Sequence, residues 1–113
     1  MQRAGRITSS ADFRRAYATG SRVAAGAVVA HLVERHDSEP ARVGITAGRA
    51  VGGAVERNRV KRRLREAVRP LKASLKAGVD LVFVGTARAG RDDFQNLADS
   101  ARTAASRLGA CDA

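Results

Sequence analysis

A run of basic residues between Glu56 and Glu66 constrains the fold of this chain more than any other segment. It places six cations within about three helical turns, where like charges repel one another and destabilise a helix. A strongly anionic partner would relieve that repulsion, and a polyphosphate backbone is the first candidate because its neutralisation releases bound counterions. The six cations are Arg57, Arg59, Lys61, Arg62, Arg63 and Arg65.

Helical periodicity divides the extended segment into two sides. The side predicted to pack on the rest of the fold consists of Val60, Leu64, Ala67, Val68, Leu71 and Leu75. The opposite side is a basic stripe of Lys61, Arg62, Arg65, Arg69, Lys72 and Lys76. A solvated surface helix is one alternative, but such helices usually interleave Glu with Lys. Binding to a membrane surface is another, although the apolar side lacks large aromatic residues.

Composition supports an anionic partner. The 113 residues include 21 Lys and Arg against 11 Asp and Glu, which gives a net charge of +10. This balance favours nucleic acid first, an anionic membrane second and acidic proteins third. The chain has no apolar run of about 20 residues and no signal-peptide pattern. Its single cysteine, Cys111, cannot form an internal disulfide. We therefore expect a cytoplasmic protein.

Turn residues and apolar periodicity divide the chain into elements in the order αβββαβα. This order predicts an α+β two-layer sandwich with helices packed on one four-stranded sheet, in a single domain over residues 1–113. Residues 1–8 are expected to form a basic, irregular leader and residues 109–113 a tail. The predicted elements are a helix from Ser9 or Ser10 to about Ala18, two strands within Arg22–Glu34 separated by Gly26, a strand over Arg42–Ala47, a helix from about Ala54 to Leu75 kinked or divided at Pro70, a strand over Val79–Val84, and a helix from Asp92 or Asp93.

Aromatic residues are few, and their context separates two pairs. Phe83 and Phe94 lie in apolar surroundings and are predicted core residues. Phe13 and Tyr17 are four residues apart, so they share one face of the first helix, which Gly20 is expected to end in a left-handed conformation. Core packing is the favoured interpretation of this pair, and stacking of single-stranded bases beside arginines is the alternative.

The roles of two polar residues, Asn58 and His31, are not decided by their sequence context alone. Asn58 could contact a base edge or a ribose hydroxyl while its arginine neighbours hold phosphates. Satisfying a free backbone amide near the start of a helix is an equally good interpretation of Asn58. His31 lies in a Val- and Ala-rich strand, where a lone histidine usually has a structural role.

The sequence contains no recognisable catalytic centre. Cys111 has no histidine placed to activate it, and the adjacent Asp92 and Asp93 are typical of a helix start. Gly48, Gly52 and Gly53 lack the Lys and Ser or Thr of a phosphate-binding loop. The residues therefore predict an RNA-binding protein without catalytic or metal-binding residues of its own.

The stretch from Arg42 to Glu66 resembles the signature of the bacterial ribonuclease P protein subunit, above all in Arg57-Asn58-Arg59 followed by Lys61-Arg62. The upstream pattern of Asp12-Phe13, Tyr17, Gly20 and Arg22 is similar to that family too. The resemblance extends from about Arg6 to Leu108. The positions that differ from the usual family pattern are Val28, Gly48, Ala50 and Gly53.

The resemblance implies a fold like that of ribosomal protein S5 domain 2, with a left-handed βαβ crossover. It implies a subunit of an endoribonuclease that removes the 5′ leader of precursor tRNA, in a 1:1 ribonucleoprotein whose RNA carries the chemistry and most of the Mg²⁺. The alternative is a structural, ribosomal-protein-like RNA binder without a role in tRNA processing. By matching position, the residues implied to contact the catalytic RNA are Arg57, Asn58, Arg59, Lys61, Arg62 and Arg65. Those implied to contact the leader are Phe13, Tyr17, Arg22, His31 and Arg49.

Overall fold

A computed structural model describes residues 4–111 of the chain. The order of elements in this range is βαβββαβα, which is the predicted order preceded by one additional strand. The strands are β1 (Gly5–Arg6), β2 (Ser21–Ala25), β3 (Val28–Glu34), β4 (Arg42–Ala47) and β5 (Val79–Gly85). The helices are α1 (Ser10–Thr19), α2 (Ala54–Val68) and α3 (Phe94–Arg107), with short 3-10 helices over Arg49–Val51, Arg69–Ser74 and Ala87–Gly90.

All of these strands join one mixed sheet in the order β1-β4-β5-β3-β2. β4 and β5 are parallel neighbours joined through α2, which makes a βαβ unit whose left-handed sense stays a prediction. β3 pairs antiparallel with both β5 and β2. The predicted α+β architecture is confirmed, whereas the predicted count of four strands is too low by one.

The additional strand lies within the segment predicted to be an irregular leader. The Gly5 N–H donates to the Ala41 carbonyl at 2.7 Å, the Ile7 N–H donates to the Val43 carbonyl at 2.9 Å, and Ile7 is buried. A strand of two residues is too short to show periodicity, so the sequence could not reveal it. The predicted leader also includes residues 1–3, which lie outside the described range.

The predicted tail is packed against the body of the protein. Ala110 is buried, its carbonyl accepts from the Lys76 N–H at 2.8 Å, and Cys111 forms an isolated bridge with Leu75. The tail prediction is therefore wrong for residues 109–111, and residues 112 and 113 lie outside the described range.

The main core lies between the sheet and the layer formed by α2 and α3. The apolar side predicted for the long helix is buried there, except that Leu75 is only partly covered. Pro70 divides that helix as predicted: α2 ends at Val68, and a 3-10 helix takes the chain through the proline, which lacks an N–H for the α-helical pattern. The core prediction for Phe94 is wrong, because its side chain is 47% exposed at the start of α3 and Leu97 is the first residue there to point inward.

α1 packs on the face of the sheet opposite α2 and α3, so both faces of the sheet have a helix packed on them. Ala16 of α1 contacts Val82 of β5 in a second, small cluster that includes Ile7. The Ser9 side chain caps the helix by accepting from the Ala11 N–H at 3.1 Å. Gly20 ends it with φ of −75° and not in the predicted left-handed conformation.

Close backbone approach explains the glycine at position 20. A Cβ atom there would lie 2.5 Å from the Ala16 carbonyl oxygen and 2.9 Å from the Leu32 carbonyl oxygen. The glycine therefore lets the end of α1 pass directly over β3. That packing places the exposed face of α1 beside the uncovered part of the sheet.

Candidate nucleic-acid interface

An open cleft of about 440 Å³ lies between α1 and the sheet face opposite the main core. Its residues come from β2, β3, β4, β5, α1, α2 and the segment after β4, so only the folded chain assembles it. Apolar side chains from alternate strand positions form part of its floor, and cationic side chains contribute to its lining. The lining residues are Tyr17, Arg22, Val29, His31, Thr46, Ala47, Gly48, Arg49, Arg57 and Val84.

Tyr17 and His31 form the aromatic part of this cleft. Their ring centroids are 5.1 Å apart with an interplanar angle of 76°, an edge-to-face contact. Tyr17 is 45% exposed, and burial of the rest of its ring raises the pKa of its hydroxyl, which stays protonated at neutral pH. An exposed aromatic ring among arginines is the arrangement that stacks single-stranded bases while the cations hold the backbone.

The structure brings together four of the five residues implied to contact the leader: Tyr17, Arg22, His31 and Arg49. Phe13 is not among the residues that line the cleft. Its ring lies over Gly44 of β4, where an added Cβ would be 2.8 Å from Cε1 of the ring. The centroids of the Phe13 and Tyr17 rings are 6.4 Å apart. Phe13 therefore supports α1 against the sheet, as the core-packing interpretation of the aromatic pair expects.

His31 is electrically neutral in this environment. The side chain is buried, and its Nδ1 has no hydrogen-bond partner among residues 4–111. Burial, and secondarily the positive charge of Arg22, lower the pKa of His31 from its ordinary value of 6.5. At neutral pH the imidazole therefore contributes an uncharged ring to the cleft, and Arg22, Arg49 and Arg57 contribute the positive charge.

Sequence reasoning missed the floor of the cleft and one of its cations. Val29, Thr46 and Val84 line it from three different strands. Strand alternation places such residues on the face opposite the core, but it does not show which part of that face stays uncovered. Arg57, assigned from the sequence to the catalytic-RNA group, lies in the cleft, where its guanidinium donates to the Gly48 carbonyl at 3.0 Å.

The other residues implied to contact the catalytic RNA lie along α2. Asn58, Arg59, Arg62 and Arg65 are exposed, and Lys61 is partly exposed. No carboxylate forms a salt bridge with any of these four cations within residues 4–111, whereas Arg69 farther along pairs with Glu66 at 2.8 Å. Two members of the basic stripe are ion-paired, Arg69 with Glu66 and Lys76 with Glu34 at 2.9 Å. The other four, Lys61, Arg62, Arg65 and Lys72, pair with no carboxylate of residues 4–111 and are available to an anionic partner.

Two arginines of the run fasten α2 to the loop after β5. The Arg59 Nε donates to the Gly90 carbonyl at 3.0 Å. Arg63, which is partly buried, donates to the Ala89 carbonyl at 2.6 Å and also to the Asp92 carbonyl. These bonds engage carbonyls and no carboxylate, so the positive charge of both side chains is not neutralised.

A buried carboxylate at the other end of β5 holds two further arginines. Asp80 is 1% exposed; it accepts from the Arg35 Nη1 at 2.7 Å, from the Arg42 Nε at 2.8 Å and from the Arg42 Nη2 at 2.7 Å. Burial by itself raises the pKa of Asp80, but these hydrogen bonds outweigh burial and hold the pKa below its usual value. Arg42 also contacts Asp12 of α1 at 3.3 Å, which links this network to the helix that walls the cleft.

Among residues 4–111, no group of three or more His, Cys, Asp and Glu side chains is placed to hold a metal ion. No helix in the same range combines the length and apolar character needed to cross a bilayer.

The family model for Ribonuclease P matches residues 1–109 of this chain. The ribonuclease P protein component of Symbiobacterium thermophilum is 45% identical over 84 residues, which cover 74% of this chain and 73% of that protein. That of Gluconacetobacter diazotrophicus is 44% identical over 84 residues, covering 74% of this chain and 72% of that protein.

Solved structures of the same kind share the fold. The Staphylococcus aureus RNase P protein superposes with a TM-score of 0.81 at 27% identity, covering 96% of this chain and 99% of that chain. The Thermotoga maritima RNase P protein gives a TM-score of 0.75 at 24% identity over 90% of this chain and 96% of that chain, a likeness that concerns the fold alone.

Proposed function

The chain belongs to the ribonuclease P protein family, and we propose that it contributes two separate RNA-binding surfaces to the holoenzyme. Family membership makes it an endoribonuclease subunit that works with an RNA partner in the 5′ processing of tRNA. In our proposal the cleft under α1 binds the single-stranded 5′ leader of precursor tRNA. The exposed basic face of α2 binds the catalytic RNA, in a 1:1 complex.

The observation that carries this proposal is the separation of two cationic surfaces with different chemistry. The cleft combines the exposed Tyr17 ring with the guanidinium groups of Arg22, Arg49 and Arg57, so it suits unpaired bases and their phosphates. The face of α2 presents Arg62 and Arg65 without aromatic rings, so it suits a ribose-phosphate backbone whose bases are already paired or stacked.

We further propose that the RNA subunit performs the hydrolysis and holds most of the magnesium ions. The arginines of the cleft repel a divalent cation, whereas the phosphates of an RNA attract one. In this division of labour the protein holds the leader and screens the repulsion between the two RNA molecules. The chemistry then depends on ions coordinated by phosphate oxygens.

Reconstitution with a catalytic RNA of the same family tests the two-surface proposal. Tyr17→Ala should weaken binding of precursor tRNA by about 5- to 150-fold, since one base stacked on an aromatic ring contributes about 1–3 kcal/mol. The same variant should leave binding of the catalytic RNA, and of mature tRNA without a leader, unchanged. Tyr17→Phe keeps the stacking surface and is the matched control.

Arg62→Ala should show the opposite pattern, with weaker binding of the catalytic RNA and normal leader recognition once the complex has formed. Arg62 is a better test than Arg59, because Arg59 also bonds the Gly90 carbonyl and its loss would disturb the packing of α2. Arg102→Ala, which removes an exposed cation of α3, controls for net charge. If Tyr17→Ala and Arg62→Ala impaired both kinds of binding equally, the two-surface proposal would be wrong.

The division of labour has its own test. The protein should stimulate precursor-tRNA cleavage by the bare catalytic RNA at low magnesium concentration. RNA-free protein incubated with precursor tRNA and magnesium should leave the substrate intact. Specific cleavage by the protein alone would overturn the accessory role, and failure to stimulate the RNA would favour a purely structural RNA-binding protein.

A further inference from the structure

A second basic groove, of about 430 Å³, lies between the β1–β4 edge of the sheet and the C-terminal part of α2. Its cationic side chains come from β1, from α2 and from the 3-10 helix that follows α2. Its floor consists of aliphatic side chains from the β1–β4 edge and from α2. The lining residues are Arg6, Ile7, Val43, Ile45, Arg65, Val68, Arg69 and Lys72.

The charge of this groove is almost entirely positive. Arg6, Arg65 and Lys72 form no salt bridge with a carboxylate of residues 4–111, and Arg69 pairs with Glu66 at 2.8 Å. Both members of that pair are more than half exposed, so the ion pair contributes little and an incoming phosphate can replace Glu66. Four cations around one groove repel one another unless an anion lies between them.

The apolar floor offers little for a protein partner to cover. Ile7 is 5% exposed, Val43 4% and Val68 0%, and Ile45 is partly buried, so an apolar side chain docked here would cover additional apolar surface mainly at Ile45. Among the described residues that line the groove, none offers an aromatic ring on which a base could stack. Closely spaced cations over an aliphatic floor suit a ribose-phosphate backbone, which needs charge neutralisation and shape but no base contact.

We propose that this groove binds a segment of the ribose-phosphate backbone of the partner RNA, which extends the α2 interface across the sheet edge to Arg6. The inference rests on the proposed function, since it assumes that α2 faces the catalytic RNA. Arg65 belongs both to the exposed face of α2 and to the groove, so the two surfaces are continuous. Along α2 the combined surface runs from Asn58 to Val68, about 15 Å at ~1.5 Å per residue, and it continues over the 3-10 helix to Lys72.

The test compares two triple variants that remove the same charge from different places. The groove variant carries Arg6→Ala, Arg69→Ala and Lys72→Ala, and it keeps Arg65 because that residue also lies on the α2 face. The control variant carries Arg88→Ala, Arg102→Ala and Arg107→Ala, which are all exposed and line neither the groove nor the cleft. Affinity for the catalytic RNA is measured between 50 and 200 mM monovalent salt, with circular dichroism to confirm folding of each variant.

Loss of three phosphate contacts should reduce the slope of log affinity against log salt by about 2 to 3, at ~0.7–0.9 per contact. Over that fourfold rise in salt, the control should therefore lose roughly 20- to 40-fold more affinity than the groove variant. Leader recognition, measured as the preference for precursor over mature tRNA, should be the same in both variants.

Each outcome separates the groove from the wider proposal. Suppose that the unmodified protein binds the RNA normally and that the two variants have equal salt slopes. This result would overturn the proposal that the groove binds RNA and would leave the two-surface proposal intact. Failure of the unmodified protein to bind the catalytic RNA would overturn the proposed function itself. A change of oligomeric state in the groove variant with unchanged RNA affinity would assign the groove to a protein partner and reject an RNA.

Discussion

Asp80→Asn should destabilise the protein by about 3 kcal/mol at pH 7, because it removes one partner from a buried ion pair. The carboxylate is 1% exposed and accepts three charge-assisted hydrogen bonds of 2.7 to 2.8 Å from Arg35 and Arg42. Breaking such a buried pair costs about 3–5 kcal/mol. The Arg42 side chain is 35% exposed and can regain water, so we expect the lower end of that range.

Urea unfolding followed by circular dichroism measures this change directly. Asp99→Asn is the matched control: it makes the same chemical change at an exposed pair with Arg102, whose side chains are 53% and 60% exposed. That control should lose less than about 1 kcal/mol. A loss for Asp80→Asn as small as that for Asp99→Asn would refute the reasoning that the buried network stabilises the fold.

The pH dependence of the same variant provides an independent check. The folded-state pKa of Asp80 is held below its unfolded value, so its contribution is fully present above about pH 4 and is lost as the pH falls through the folded-state pKa. The stability difference between the unmodified protein and Asp80→Asn should therefore shrink in acid. A difference that stayed constant from neutral pH into strong acid would contradict ionisation of Asp80 as its source.

Three further outcomes are expected. Gly44→Ala should weaken leader binding and destabilise the fold by about 1–3 kcal/mol, because the new Cβ would lie 2.8 Å from the Phe13 ring that supports α1. Gly5→Ala should be tolerated, because its new Cβ would meet no atom of residues 4–111 nearer than 3.7 Å. NMR titration should give His31 a pKa below 6.5, and Arg22→Gln should raise that pKa, since Arg22 is one cause of the depression. A pKa above 6.5 in the unmodified protein would contradict an uncharged His31 ring in the cleft. Complex formation that neutralises ~6 phosphates should weaken with roughly the fourth to fifth power of salt concentration, and a flat salt response would exclude phosphate contacts as its basis.

Local patterns in the sequence were sufficient to predict α2 and its two sides. Val60 and Leu64 are buried while Arg62 and Arg65 are exposed, because helical spacing alone sorts a residue to one side or the other. The predicted division between β2 and β3 at Gly26 is also observed. It depends on one residue type, because the φ of 54° at Gly26 favours a residue without a Cβ.

The cleft between α1 and the sheet could not have been found from periodicity. The assignment of Tyr17, Arg22, His31 and Arg49 to a common site came from family resemblance, because these residues belong to separate elements along the chain. Alternation in a strand shows which residues share a face, but it does not show that α1 covers only part of that face. Phe94 is a related case. Whether an aromatic residue at the start of a helix faces the core or the solvent depends on which neighbouring elements pack against it.

The sequence by itself determined the charge, the amphipathic basic helix and the family, because these depend on residue identity and on spacing within one element. Tertiary structure decided which charges are available. Arg57 lines the cleft, and Arg63 donates to backbone carbonyls. Asp80 is buried between Arg35 and Arg42, and Arg6 and Lys72 line the same groove. The physical reason is that long-range strand pairing sets the distances between these groups, and the strength of each interaction depends on distance and on exposure to water.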